Sequence, residues 1–126
     1  MPVMLHQPLS TFSLDRAGGA NSTSVIDTYL GRATATKRTN MSVAVVHMRA
    51  DEALQEHYHR HTEETFLVTE GACFAVVDGE EYYLPKGALI VIQSEERHYL
   101  KTLLQQEAQI VAISLPAHDD ADFIAV

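Results

Sequence analysis

Apolar residues in this chain recur in short runs broken by polar ones, with little of the 3.6-residue rhythm of an amphipathic helix. Residues 41–48 form the clearest predicted strand, rich in β-branched side chains. Residues 24–30 precede it, with Val25, Ile26, Tyr29 and Leu30 as apolar positions. After the histidine-rich stretch that starts at His57 come a strand over 65–70, a turn at Gly71 and a strand over 73–77. Asp78-Gly79, between two apolar runs, is the strongest hairpin signal, and residues 81–84 return from it. Pro85-Lys86-Gly87 turns the chain again into 88–92, a continuous apolar run that predicts a strand buried on both faces. Residues 93–97 make a polar corner, and strands over 98–104 and 109–115 complete the set. Turns at intervals of roughly eight to twelve residues predict an all-β sandwich or barrel.

The ends are less regular. Residues 1–23 carry Pro2, Pro8, Gly18 and Gly19 and read as an arm with a short strand around Phe12. Residues 31–40, with Arg32, Lys37 and Arg38, read as a polar loop. A barrel over 24–115 is then followed by an Asp-rich tail, 116–126, expected to be loosely held or packed against a partner. Within the 41–48 strand one face is bulky (Met41, Val43, Val45, His47) and the other small (Ser42, Ala44, Val46). Small side chains on an inward face leave a hollow, so the even positions are expected to look inward and His47 outward.

A chain of 126 residues is one domain with room for a real core. Its apolar fraction of 46% and charged fraction of 21% are those of an ordinary globular protein. The net charge of −8 argues against a nucleic-acid partner, whose phosphates call for clustered Lys and Arg. Cys73 is the single cysteine, so no intrachain disulfide can form, and a reducing compartment, the cytoplasm, is expected. Lying in the apolar run from Ala72 to Val77, it reads as a small buried hydrophobe. The first residues lack the basic start and apolar core of a signal peptide. No apolar run approaches the about 18 residues that cross a bilayer, so no membrane partner is expected.

Chemistry concentrates in His57-Tyr58-His59-Arg60-His61-Thr62-Glu63-Glu64. In an extended backbone His57 and His59 point the same way and Tyr58 the other. A carboxylate brought back by a short turn would join them, and two imidazoles with one carboxylate suit a divalent first-row metal.

Together the spacings read His57-x-His59-x4-Glu64-x6-Gly71 and then Gly87-x10-His98. This resembles the two-motif signature of the cupin superfamily, over roughly residues 40 to 115. The first motif fits without a gap, although Asp51 stands where a glycine usually precedes it. In the second, the outer spacing and His98 survive, while Gln93, Glu95 and Thr102 replace the usual Pro, Gly and Asn. Those changes bear on the turn and the mouth of the site more than on the ligand set. The resemblance implies a double-stranded β-helix, the jelly-roll barrel, with His57, His59, Glu64 and His98 around one divalent metal. Imidazole and carboxylate donors suit Fe, Mn, Ni, Zn or Cu, and four ligands on one side leave open positions.

On that frame Glu63 faces outward, and alternation predicts the pocket wall. Phe66 and Val68 share a face with Glu64, and Leu100 and Thr102 share one with His98. With Ser42, Ala44 and Val46 they make a mostly apolar lining, the character of a small-molecule pocket. No Arg or Lys is expected inward, which disfavours a sugar phosphate. The turn should carry His61 away from the site, which makes it a surface residue or else the candidate for proton transfer, a role that a metal-bound hydroxide could also fill. Glu56-His57-Tyr58-His59, Glu63-Glu64, Asp78-Gly79-Glu80 and Arg97-His98, with Arg16, Gly18 and Gly19, are similar to the small single-domain cupins of aromatic polyketide biosynthesis. That likeness implies metal-assisted cyclisation or isomerisation, in which a polarised ketone favours deprotonation of a neighbouring C–H. The same ligand set also serves a dioxygenase, and a non-catalytic ligand-binding cupin would share the fold. A homodimer is expected, with the N-terminal arm covering an exposed sheet edge.

Overall fold

The computed structural model describes residues 2, 4–17, 21–32 and 38–126. Ten strands follow in order: β1 (Ser10–Asp15), β2 (Asn21–Leu30), β3 (Ser42–Met48), β4 (His57–His59), β5 (Glu63–Val77), β6 (Glu80–Pro85), β7 (Leu89–Ile92), β8 (His98–Thr102), β9 (Ala108–Leu115) and β10 (Phe123–Ala125). A short 3₁₀ turn spans Asp120–Asp122. The fold is all-β, as the strand spacing predicts, and its form is the jelly roll that the family resemblance implies. No helix among the described residues is long and apolar enough to cross a membrane.

All strand pairs are antiparallel and build two sheets that share β5. The first runs β1-β2-β3-β9-β5-β7 and the second β6-β5-β8-β4-β10. The first half of β5 pairs with β7 and β9, and the second half with β6 and β8. The expected turn at Gly71 is instead a bend inside one 15-residue strand. The register slips between Val68 and Glu70, and Gly71 sits at φ +69°, where a Cβ would run into the Glu107 carbonyl. At Asp78-Gly79 both φ values are positive (48° and 85°), as a two-residue hairpin turn of the primed type requires.

Alternation places one face of each strand inside. On β3, Ser42, Ala44, Val46 and Met48 are buried, and on β9, Ala108, Ile110, Ala112 and Ser114. Read across the pair, the inward rungs run Ser42/Ser114, Ala44/Ala112, Val46/Ile110 and Met48/Ala108. Side chains are small at one end and bulky further in. The bulky end, with Val68, Cys73 and Leu84, is close-packed, and the small end leaves a hollow.

Three further expectations change. The arm is more regular than 1–23 suggested, because β1 pairs with β2 from Ser10↔Thr28 onward and β2 begins at Asn21. Gly18, Gly19 and Lys37 lie outside the described residues. The apolar run at 88–92 is not buried on both faces. Among the described residues β7 pairs with β5 alone, and Leu89 and Val91 are 57% and 45% exposed. Nor is the tail loose: β10 pairs with β4 through Phe123↔His59, Ile124↔Tyr58 and Ala125↔His57.

Candidate metal centre

His57 and His59 leave β4 on one face, and His98 stands opposite His57 on the neighbouring β8. All three belong to the second sheet. Glu64 comes from the first half of β5 in the other sheet, opposite Ser114 at the small end of the taper. It is buried while Glu63 is exposed, so the alternation of β5 selects between the adjacent carboxylates. The Oε1 atom of Glu64 lies 2.7 Å from His59 Nε2, 2.9 Å from His98 Nε2 and 3.8 Å from His57 Nε2. One ligand atom from each of the four residues falls within 4.8 Å of the others.

The backbone decides which ring nitrogen faces this point. Nδ1 of His57 donates to Gln55 O (2.9 Å), that of His59 to Asp122 O (3.1 Å) and that of His98 to Glu96 O (2.8 Å). A carbonyl can only accept, so Nδ1 carries the proton and a neutral ring presents the Nε2 lone pair inward. Burial by itself would raise the Glu64 carboxyl, but the imidazoles around it, when they carry a second proton and donate to it, hold it well below the usual carboxylate range. Burial lowers His57 below an ordinary histidine. Burial also acts to lower His98, but the Glu64 carboxylate outweighs it and raises that ring.

These donors fit a cation. His98 can hold a proton against Glu64, yet His59 Nε2 is fully buried and has no hydrogen-bond donor or acceptor geometry with any neighbour. Two bare acceptors 2.7 Å apart repel unless a positive centre lies between or beside them. Donors around one ion at about 2.0–2.2 Å lie no more than about 4.4 Å apart, so the cluster needs to contract by only a few tenths of an ångström.

A cavity of about 440 Å³ opens onto all four residues, within the size range of small-molecule sites. Of the expected wall, Ser42, Ala44, Val46, Phe66 and Leu100 line it. Val68 and Thr102 do not. Val68 lies deeper, opposite Ile110 in the packed core. Thr102 is at the far end of β8, where its hydroxyl donates to Arg49 O at 2.6 Å and accepts from Glu52 N at 3.0 Å. His61 is exposed and outside the cavity wall. The Arg60–Thr62 reversal turns it away, and its backbone N–H donates to Asp122 Oδ2 at 3.1 Å.

Other lining residues escape a local reading. Phe12, Leu14 and Ile26 come from the β1–β2 hairpin, and His118, Asp120 and Phe123 from the last segment. Arg32 also lines the cavity, against the expectation of no inward cation, with Nε donating to Ala117 O at 3.3 Å. His118 Nε2 pairs with Asp120 Oδ1 at 3.0 Å. The Asp122 carboxylate accepts from the N–H groups of Arg60 and His61. Burial would raise this carboxyl, but those bonds hold it below its ordinary value. The apolar Phe123-Ile124 pair after a turn-forming Asp run was the one sequence signal for β10.

A family model described as the cupin domain (Cupin_2) matches residues 44–114. Over 64 residues the chain is 34% identical to the polyketide synthase CurC of Streptomyces cyaneus, a stretch covering 51% of this chain and 42% of that relative. The match thus spans less than half the length of that protein. Among solved structures, the polyketide cyclase RemF from Streptomyces resistomycificus superposes with a TM-score of 0.77 at 15% identity, over 100% of this chain and 86% of that one. Pac13 of Streptomyces, a nucleoside dehydratase, superposes with a TM-score of 0.72 at 16% identity, over 98% and 92%. At such identities the likeness is one of fold.

Proposed function

This chain belongs to the cupin domain family, and on that premise we propose that it is a metal-dependent enzyme acting on a small, largely apolar polyketone as a cyclase or isomerase. The observation that carries this reading is a cavity with mostly apolar walls that ends on three inward Nε2 atoms and one carboxylate. His57, His59, Glu64 and His98 would hold the ion. A divalent cation in that place supplies Lewis acidity to a carbonyl oxygen, lowering the cost of the enolate formed by deprotonation of its neighbour.

The chain's own residues do the rest. Glu64, held ionised, offsets the charge of the ion. Phe66, Leu100, Val46 and Phe123 exclude water and hold the hydrocarbon of the substrate. His118, kept in place by Asp120, takes the proton-handling role expected of His61, because it reaches the cavity and His61 does not. The curated relative supports a polyketide substrate, with the limit that it is matched over less than half its length.

The test is to load the purified protein with Fe, Mn, Ni, Zn or Cu, measure stoichiometry, and supply a synthetic poly-β-ketone. A cyclised product without oxygen uptake, absent from His98→Ala, supports the reading. Oxygen consumed in step with product makes the protein a dioxygenase instead. Tight binding without turnover makes it a ligand-binding module.

The same reading takes the chain as a homodimer. Leu89, Leu67, Val111 and Val45 lie in register across the outer face of the first sheet, beside Val91, Ile113 and Val43. Contiguous apolar surface of this kind marks an association face. A monomeric mass in solution would count against it.

A further inference from the structure

The last segment of the chain supplies no donor to the four-residue cluster, yet its contacts converge on the donors. The carbonyl of Asp122 takes the Nδ1 proton of His59 at 3.1 Å. The carboxylate of the same residue accepts from the backbone N–H of Arg60 at 3.0 Å and of His61 at 3.1 Å. Those two residues lie in the short reversal between His59 and Glu64. The ring of Phe123 lies flat on the His57 imidazole, with centroids 4.1 Å apart and planes 17° from parallel.

We propose that Asp122 and Phe123 are positioning residues of the metal centre: Asp122 sets the tautomer of His59 and the turn to Glu64, and Phe123 sets the ring plane of His57. The inference rests on the metal reading above. The need for such restraint follows from rotamer physics, since the torsion that turns an imidazole is broad and roughly two-fold. His59 and His98 sit within 2.9 Å of Glu64 Oε1, whereas His57 lies 3.8 Å away and is the ring least held by the carboxylate. Apart from its Nδ1 bond to Gln55 O, the Phe123 stack is its closest ring contact. Register makes the stack possible. Phe123 stands opposite His59, so both point to one face, the face His57 also uses. A slip of one residue would put Ile124 there and turn Phe123 away. Partners behind a ligand tune a metal site in this way generally.

The experiment is Co(II) binding by chelator competition, with the visible spectrum of the loaded protein and the urea midpoint of the metal-free protein recorded for each variant. Wild type is expected to take up Co(II), and Phe123→Leu to bind about 10- to 100-fold more weakly with a changed d–d band, while Phe123→Tyr returns both toward wild type. A merely structural role would lower the urea midpoint of Phe123→Leu and leave the spectrum alone. Wild-type affinity and spectrum in Phe123→Leu would overturn the proposal. If Phe123→Leu does not fold, Asp122→Asn, which keeps the apolar packing, decides the matter by the same two readouts. No Co(II) uptake by wild type would sink the metal reading and this inference together, whereas wild-type uptake that the folded variant leaves untouched sinks this inference alone.

Discussion

Two histidines outside the four-residue cluster separate by where their side chains go. Both residues are exposed, but the His118 ring also lines the cavity, with its centroid 5.8 Å from that of His59, and the His61 ring does not. His118→Phe is therefore expected to lower turnover by about 10²-fold or more, the usual worth of a positioned proton-transfer group, with metal content unchanged. His61→Ala should leave turnover near wild type. Steady-state rates on metal-quantified protein check both, and equal losses in the two variants would refute the assignment. Cys73 makes a second case. It is fully buried, and burial pushes its thiol up to about 11. A disulfide reagent at pH 8 should leave native protein unlabelled over minutes and label one thiol per chain in denaturant. Rapid labelling of native protein would contradict its place in the core.

Among the elements, β5 carries the most weight, because it threads both sheets and delivers Glu64. Gly71→Ala should cost about 1–3 kcal/mol for the positive φ alone, before the contact with the Glu107 carbonyl is counted. A lower urea midpoint at unchanged slope is the expected reading. This element also shows what the sequence reveals. The His57-x-His59-x4-Glu64 spacing is legible because alternation within a strand is local. So is the inward face of β3, with Ser42, Ala44 and Val46. Alternation gives the face, however, and not the depth. Val68 and Thr102 were expected beside Phe66 and Leu100 on the correct faces, but they sit further along the barrel, beyond the cavity. An apolar run such as 88–92 records hydrophobicity without recording which neighbours cover it, and β7 has one side chain row in solvent. The place of Phe123 depends on pairing with a strand more than sixty residues earlier, which no local rhythm encodes.

For the whole molecule, the division of donors matters most: three imidazoles hang from the second sheet and one carboxylate from the first. An ion bound only by the folded chain stabilises it through mass action. At a free concentration about 100 times Kd this is ~2.7 kcal/mol, which for a domain of this size should raise the melting midpoint by on the order of 10 °C. Thermal scans of wild type and His98→Ala, with and without Zn or Co, check it; an equal response in the two would disconnect the ion from this site. The 3:1 split has a mechanical side as well. An ion held by these four donors would act as a clasp across the wide end of a two-leaved shell. With the clasp undone, the leaves are free to spread at that rim, and the stripped protein should admit bulkier guests than the loaded one accepts.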